Sequence, residues 1–301
     1  MLLLFAASFL WAFSFGLIKR FLAAADPVFV AWARMLIASL VFLPFLRLQL
    51  VKGLERLELA GIGAVQYGLM YVFYIASFRY LAAHQVALFT IFTPIYVTLL
   101  CDLMRRRFHA RFLLTALLAV AGAAVIVTGR SDVVGAVLAF ILVQLSNICF
   151  AIGQVAYPAV MSEAALSNDR GTRLPVTDRG VFGLLYGGGL VLTSAALVIG
   201  GRWPGKMPDM PEMLTLLYLG LLPSGLGFFL WNVGARRVNA GVLAVFNNVK
   251  IPLAMLCSFF FFGETGDWTR LTIGGGAIFA ALVLNQAWAR KYSRVRQSES
   301  Q

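Results

Sequence analysis

The chain has 301 residues, of which 60% are hydrophobic and 13% are charged, and its mean hydropathy is +0.84. Soluble domains carry about a quarter charged residues, so this composition excludes an ordinary aqueous surface and predicts an all-α polytopic membrane protein. The formal net charge is +12, but the basic residues stand in short interruptions between apolar runs, which argues against a nucleic-acid partner. The three cysteines and two histidines lack metal-ligand spacing, so we expect no metal and no cofactor.

The first predicted element is an apolar run that mimics a signal peptide but has no basic residue before it. Lys19 and Arg20 fall late in this run, the reverse of a secretory signal, so we predict a retained membrane helix. A bilayer core needs roughly 20 apolar residues per helix, and the charged, Pro and Gly interruptions divide the chain into ten such runs. The predicted spans cover residues 2–22, 28–48, 58–80, 85–104, 112–129, 133–157, 180–200, 213–235, 240–262 and 270–289.

The basic residues between the spans are unevenly divided. Of the 25 Lys and Arg residues, 16 lie in loops and a tail that would share one side of the membrane with both termini, and seven lie on the other side. Because basic loops stay in the cytoplasm, we predict that both termini and the long loop at 161–180 are cytoplasmic. We expect the cell inner (plasma) membrane, crossed by a multi-pass chain.

The two halves of the chain show weak internal similarity. Residues 73–95 align without gaps on residues 231–253. Since a repeat with an odd number of spans inserts upside down, we predict two inverted five-helix repeats, the arrangement of many transporters. The first covers residues 1–132, and the second covers residues 133–301 with a basic C-terminal tail.

Several segments resemble the EamA-type ten-helix carriers of the drug/metabolite transporter superfamily. They are FLWAFSFGLIKR in span 1, DPVFVAWARMLIASL in span 2, the Ala-rich entries and prolines of spans 4 and 9, and FFFFGE ending at Glu264. The resemblance covers nearly the whole chain and implies a central cavity lined by spans 1, 3, 4, 6, 8 and 9 and open to alternate sides. The chain departs from the family at Trp11-Ala12, where Trp-Gly is frequent, and in the first half, where CDLMRRRF replaces a Gly-Glu ending.

Lys250 lies near the middle of span 9, within VFNNVKIPLA. It stands about 10 to 12 residues, or roughly 15 to 18 Å, from each end of the span, and a central lysine costs at least about 2.5–3.5 kcal/mol on insertion scales. All 13 Asp and Glu residues fall in loops, tails or span ends, so no midplane carboxylate can neutralise it. We predict that Lys250 anchors a substrate carboxylate, while the alternative of a purely structural helix-pairing role stays open.

The residues around Lys250 strengthen this prediction. Asn247 lies one helical turn away and can address the same space. Pro252 has no N–H, so the carbonyl of Asn248 loses its helix partner, and Pro94 does the same at the matching place of the first half. Broken helices at matching positions mark transporter binding sites, so we predict both prolines as hinges.

The remaining candidates are polar or aromatic residues of the spans that the resemblance places around the cavity. Each of them has an alternative role in helix packing or at the membrane interface. They are Trp11, Ser14, Gln66, Tyr67, Tyr71, Phe89, Thr93, Gln144, Asn147 and Asn232. For Arg34, inside span 2, we predict a structural role in which it caps carbonyl groups of neighbouring helices.

A cavity with a lysine and no acid suits an anion. The favoured function is a secondary transporter of small carboxylate-bearing metabolites, either amino acids or organic acids, and the resemblance favours export. The alternatives are a transporter of phosphorylated metabolites or nucleotide sugars, a lipid flippase and a structural membrane protein. The spans offer no clustered acids, histidines or nucleophile–base pair, so we expect no enzyme.

The expected partners are a small-molecule substrate and the lipid bilayer, and the oligomeric state stays open. The chain has no P-loop, so an ion gradient or the gradient of the substrate itself must drive transport. Protons are the candidate coupling ion, because a bound carboxylate favours the ammonium form of Lys250.

Overall fold

The computed structural model describes residues 1–104, 111–127, 132–168, 176–238 and 240–299. These residues form helices and short connections, and no strand occurs among them. Residues 169–175 of the polar stretch between the sixth and seventh predicted spans, and the arginine cluster at 105–107 after the fourth, lie outside the described residues.

The helices follow one another along the chain. In order they are α1 (Leu2–Leu22), α2 (Pro27–Phe45), α3 (Gly53–Ser77), α4 (Ala83–Met104), α5 (Arg111–Val127), α6 (Val133–Asn168), α7 (Asp178–Ile199), α8 (Met210–Ala235), α9 (Ala240–Phe262) and α10 (Trp268–Glu299). A separate 3₁₀ turn covers Leu48–Leu50 between α2 and α3.

Among the described residues, seven helices are long and apolar enough to cross a membrane, namely α1, α2, α3, α4, α6, α7 and α8. The other three predicted spans coincide with α5, α9 and α10, and α9 contains a shorter apolar section at Phe246–Phe262. The chain is therefore an all-helical polytopic membrane protein. The number of ten spans and the inverted relation of the two halves stay predictions.

Local sequence signals explain where several helices begin and end. Asp26 caps α2 by accepting hydrogen bonds from two backbone N–H groups, and Pro27 follows at the first helical position. Asp209 and Glu212 form a reciprocal capping box at the start of α8, with both hydrogen bonds at 2.9 Å. Gly263, with a φ of 64°, ends α9 in the left-handed conformation that glycine adopts most readily.

Several helices are irregular in their interior. π-helical turns occur at Ile18–Leu22 in α1, at Ala64–Leu69 in α3 and at Gly220–Gly227 in α8, and α4 has a 3₁₀ turn at Thr90–Phe92. Such turns shift the hydrogen-bond ladder and are frequent at functional sites. When the gapless alignment of the two halves is extended toward the N-terminus, residues 64–69 of the π turn in α3 align with residues 222–227 of the π turn in α8. This match supports the predicted repeat.

Helices of the two predicted halves interleave. α1 packs against α8 and α9, α2 against α7 and α8, α3 against α6 and α7, and α5 against α10. The α3–α7 contact is backbone to backbone, because a methyl group added to Gly63 or Gly188 would overlap a carbonyl of the other helix. The cavity therefore lies between helices from both halves and belongs to neither half alone.

Candidate functional site

A central cavity of about 480 Å³, counted with its open part, lies between the helices. It is within the size range of small-molecule sites, and like most of them it has largely apolar walls with a few polar groups. It is lined by Trp11, Ser14, Phe15, Arg34, Met70, Tyr71, Tyr74, Thr90, Ser146, Asn147, Phe150, Phe228 and Lys250. These residues come from α1, α3, α4, α6, α8 and α9, as the resemblance implied, and in addition from α2.

Lys250 reaches the cavity from α9 and is only 6% exposed. Its Nζ atom lies 5.4 Å from the ring centroid of Trp11 and 5.5 Å from that of Phe150. Two aromatic faces thus stabilise the ammonium group by cation–π interactions. Within the part of the chain that the structure describes, no carboxylate forms an ion pair with it.

Arg34 lines the cavity from α2 and is 1% exposed. Its Nε donates to Ser224 Oγ at 2.9 Å and its Nη2 to the Tyr71 hydroxyl at 2.7 Å, while the guanidinium lies 3.9 Å from the centroid of the Tyr71 ring. Its Nη1 is buried and has no hydrogen-bond partner among the described residues. The predicted carbonyl caps are not seen there, since both acceptors are hydroxyl groups, and a structural role leaves Nη1 unexplained.

The π turn of α8 supplies acceptors to this region. Trp11 donates through Nε1 to the carbonyl of Pro223 at 2.9 Å, and the Tyr186 hydroxyl lies 2.6 Å from the carbonyl of Ser224. The hydroxyl of Ser224 holds Arg34. These contacts exist because the π turn changes which backbone carbonyls are used inside the helix.

Asn147 is the member of a polar network between α4 and α6 that reaches the cavity. It donates to the carbonyl of Phe89 at 2.9 Å and to Gln144 Oε1 at 3.1 Å, and it accepts from the Thr93 hydroxyl at 3.2 Å. The structure therefore brings four predicted residues together, but Phe89, Thr93 and Gln144 stand behind the cavity wall.

The two predicted hinges differ in their surroundings. The carbonyl that Pro94 should free belongs to Thr90, and it accepts a hydrogen bond of 2.8 Å from the Thr93 hydroxyl, so this acceptor is used within α4. Pro252 lies inside α9, which continues through it. Asn248 is half-buried and does not line the cavity. Hinge roles for the prolines stay predictions.

Asn247 does not share the cavity with Lys250. Instead it forms a reciprocal amide pair with Gln154 of α6, with N···O distances of 3.2 and 3.4 Å. Asn232 of α8 similarly donates to the Tyr67 hydroxyl of α3 at 2.8 Å. We call these two pairs the polar layer; it lies one helical turn from the cavity wall, on the side where α9 begins.

Gln66 is also in this region and is completely buried. Neither its amide oxygen nor its amide nitrogen has a hydrogen-bond partner among the described residues. A side chain on Gly153 of α6 would overlap this amide. Gln66 therefore packs between α3 and α6 beneath the cavity wall.

Sequence reasoning missed several lining residues, although helical spacing offered a signal. Phe150 lies three residues after Asn147, and Tyr74 lies three residues after Tyr71. Residues three or four apart share one face of a helix, so each predicted residue pointed to an unpredicted neighbour. Ser224 gave no such signal, because its role depends on Arg34 of a distant helix.

A membrane-spanning helical bundle around a cavity lined by Lys250 and Arg34 fits a transporter for a small molecule. The profile of the EamA-like transporter family matches residues 1–128 and 138–286. The chain belongs to this family, and it is a transporter rather than an enzyme.

Similar proteins agree with this assignment. A probable biotin transporter of Pseudomonas aeruginosa is 39% identical over 289 residues, covering 94% of this chain and 96% of its own. The biotin transporter of Escherichia coli K12 is 36% identical over 297 residues, covering 96% and 93%. A solved crystal structure with 19% identity has a TM-score of 0.65 and covers 96% of this chain and 97% of its own, which supports the fold alone.

The comparisons confirm the predicted family and the prediction of a small-molecule transporter in a membrane. They do not confirm amino acid or organic acid export, because the relatives are named for biotin.

Proposed function

We propose that this chain transports biotin, or a carboxylate with a similar ring system, across the inner membrane. The observation that carries the proposal is the buried side-chain amino group of Lys250, which lines the cavity without a carboxylate partner among the described residues. The names of relatives that share 36–39% identity over most of the chain supply the particular carboxylate.

The chemistry of biotin suits the cavity walls. Biotin carries a carboxylate on an alkyl chain and a cyclic urea fused to a thioether ring. The carboxylate would form a charge-assisted bond with the ammonium form of Lys250, so neither charge would be buried without a partner. The apolar middle of the molecule would pack on the rings of Trp11, Phe150 and Phe228.

The proposal includes the membrane arrangement predicted from the sequence. Two inverted five-helix repeats, 1–132 and 133–301, alternate the opening of the cavity, and both termini are cytoplasmic. Burial without an anion favours the neutral amine of Lys250 in the empty cavity, whereas a bound carboxylate favours the ammonium, so substrate and proton bind together. An inward proton gradient then drives uptake, in place of the export that the resemblance favoured.

Proteoliposomes containing the purified full-length protein test this function. We expect uptake of labelled biotin that accelerates when the outside is made acidic. Lys250→Met keeps the stem without the charge and should weaken apparent affinity about ten- to hundredfold, since a charged hydrogen bond contributes roughly 1.5–3 kcal/mol. Lys206→Met is the matched control, because Lys206 is exposed and lies between α7 and α8.

The same assay separates the parts of the proposal. Absence of biotin transport by the unmutated protein would reject the substrate. Full activity of Lys250→Met would make Lys250 structural. Biotin transport that ignores an imposed pH gradient would leave the anchor intact and remove proton coupling.

A second candidate substrate is a phosphorylated metabolite, and the second cation of the cavity favours it. A phosphate dianion could neutralise both Arg34 and Lys250, which line the same cavity. Competition decides between the two candidates. Inhibition of biotin uptake by unlabelled biotin but not by hexose phosphate supports biotin, and the opposite result supports the phosphorylated substrate.

A further inference from the structure

Two cations line the cavity, and three aromatic rings stand in series between them. The guanidinium of Arg34 lies on the ring of Tyr71, whose centroid is 5.7 Å from that of Phe228. The Phe228 ring is 5.0 Å from the Trp11 ring, and Trp11 is 5.4 Å from Lys250 Nζ. Arg34 and Lys250 therefore line one cavity at the two ends of a series of aromatic contacts.

The two cations are held differently. Lys250 has only cation–π contacts with protein groups among the described residues. Arg34 already donates to the hydroxyls of Ser224 and Tyr71, which also contact each other at 3.0 Å. A substrate with one negative charge gains most where the cation has no hydrogen-bond acceptor. The carboxylate therefore belongs at Lys250, and Arg34 is left for another group.

What remains for a ligand at Arg34 is Nη1, whose two N–H groups have no acceptor among the described residues. Two nitrogens of the guanidinium are occupied, while Nη1 is buried and has no partner in the described part of the chain. A buried donor without an acceptor is unfavourable and calls for an explanation. Because Arg34 lines the cavity, an acceptor on a bound molecule would satisfy it.

We propose that Arg34, oriented by Tyr71 and Ser224, binds a neutral carbonyl at the end of the substrate opposite its carboxylate. For biotin this group is the ureido oxygen. The inference rests on the proposed function and adds its second specificity determinant. Tyr71 and Ser224 act as positioning residues, because they fix the plane of the guanidinium and leave Nη1 for the ligand.

Analogues of biotin distinguish the two ends of the site. 2-Iminobiotin replaces the ureido carbonyl by a protonated imine at neutral pH, so it loses the acceptor and places a positive charge against Arg34. Desthiobiotin keeps the carbonyl and the carboxylate and lacks the sulfur. Biotinol keeps the carbonyl and has an alcohol instead of the carboxylate, so it reports on Lys250.

The experiment is competition of these analogues against labelled biotin on the purified full-length protein in detergent at pH 7. We expect the unmutated protein to bind desthiobiotin nearly as well as biotin and 2-iminobiotin at least tenfold more weakly. Arg34→Met should weaken biotin about ten- to hundredfold and bring the affinities for biotin and 2-iminobiotin together. Lys250→Met should keep their ratio and abolish the preference for biotin over biotinol.

Ser224→Ala is the second variant, in case Arg34→Met fails to fold. It should lower the preference for biotin over 2-iminobiotin while the protein stays folded. Ser194→Ala is its matched control, since the Ser194 hydroxyl accepts from Trp32 Nε1 at 3.1 Å outside the cavity. The control should keep the preference of the unmutated protein.

The outcomes separate this inference from the proposed function. If the unmutated protein binds no biotin, the proposed function fails and the inference fails with it. If biotin binds but every folded variant of Arg34 and Ser224 keeps the unmutated ratio of biotin to 2-iminobiotin, the proposed function stands and the carbonyl subsite is overturned.

Discussion

Glu264 shows how one loop residue joins distant helices. Its carboxylate accepts from His84 Nδ1 at 2.7 Å, from the Ser258 hydroxyl at 2.5 Å and from the backbone N–H groups of Ala83 and His84 at 2.7 and 3.1 Å. The left-handed Gly263 turns the chain so that Glu264 caps the first turn of α4. Residues of the FFFFGE motif thereby connect α9 to α4.

The pKa of Glu264 reflects this environment. Burial alone would raise the pKa, but the hydrogen bonds from His84, Ser258 and the two backbone N–H groups outweigh burial and lower the pKa to about 2. An unperturbed glutamate has a pKa of about 4.3. Because the pKa of Glu264 is lower in the folded state, the ionised carboxylate stabilises the folded protein. This stabilisation is complete above about pH 4.3 and is lost as the pH falls toward 2.

We therefore predict that Glu264→Gln lowers the melting temperature at pH 7, because the neutral amide accepts weaker hydrogen bonds. The difference from the unmutated protein should shrink as the pH falls from about 4.3 toward 2. Thermal unfolding in detergent across this pH range measures it. Glu58→Gln, at an exposed position of α3, is the control and should leave the melting temperature unchanged. If Glu264→Gln lowered the melting temperature equally at every pH, the stabilising role of the ionised Glu264 carboxylate would be contradicted.

At the scale of the helices, the polar layer connects elements that border the cavity. The Asn247–Gln154 pair joins α9 to α6, and the Asn232–Tyr67 pair joins α8 to α3. Asp178 and Arg236 add an ion pair at the same end of the bundle, with an N···O distance of 2.5 Å. Neutral hydrogen bonds are weak in net free energy, so a layer built from them can separate and re-form.

We predict that the polar layer is a gate that opens when the cavity changes sides. Asn247→Ala and Gln154→Ala should each change the rate of biotin transport more than its affinity, because neither residue lines the cavity. In a double-mutant cycle on thermal unfolding, their coupling should be about 0.6 kcal/mol, the average for such pairs in membrane bundles. Tyr67→Phe and Asn232→Ala provide the corresponding cycle for the second pair. Additive effects in both cycles would show that the pairs are not coupled.

At the scale of the whole molecule, helices from both predicted halves pack across one another. Because helices of both predicted halves line the cavity, we predict that alternate opening moves one half against the other. The π turns of α3 and α8 lie at matching positions in the two predicted halves, so this movement could bend both helices at related positions. The predicted inverted repeat also implies that α3 and α8 cross the membrane in opposite directions.

Reporter fusions test the topology. We expect alkaline phosphatase to be active when fused after Asp132 or after Asp209, and GFP to fluoresce when fused at the C-terminus, because the basic loops and tail stay in the cytoplasm. An active phosphatase at the C-terminus would reject the model of five plus five spans. Fusions at both ends of α9 add a test of that span, which carries Lys250.

The sequence by itself determined the helical membrane class and predicted a binding site for an anion. In a bilayer each helix satisfies its own backbone, so apolar runs of sufficient length specify spans without reference to their neighbours. The absence of acids from the spans and the depth of Lys250 can likewise be read from the sequence. Together they predict a costly buried charge, because that cost depends on depth and on a charged partner.

Only the tertiary structure decided which side chains meet in the cavity. Asn247 lies one turn from Lys250 along α9, yet it faces Gln154, and Arg34 finds its partners on α3 and α8. The sequence fixes spacing along one helix but not the rotation of that helix against others. In α3 and α8 the π turns also insert an extra residue into a turn, which rotates the following face away from the 3.6-residue period.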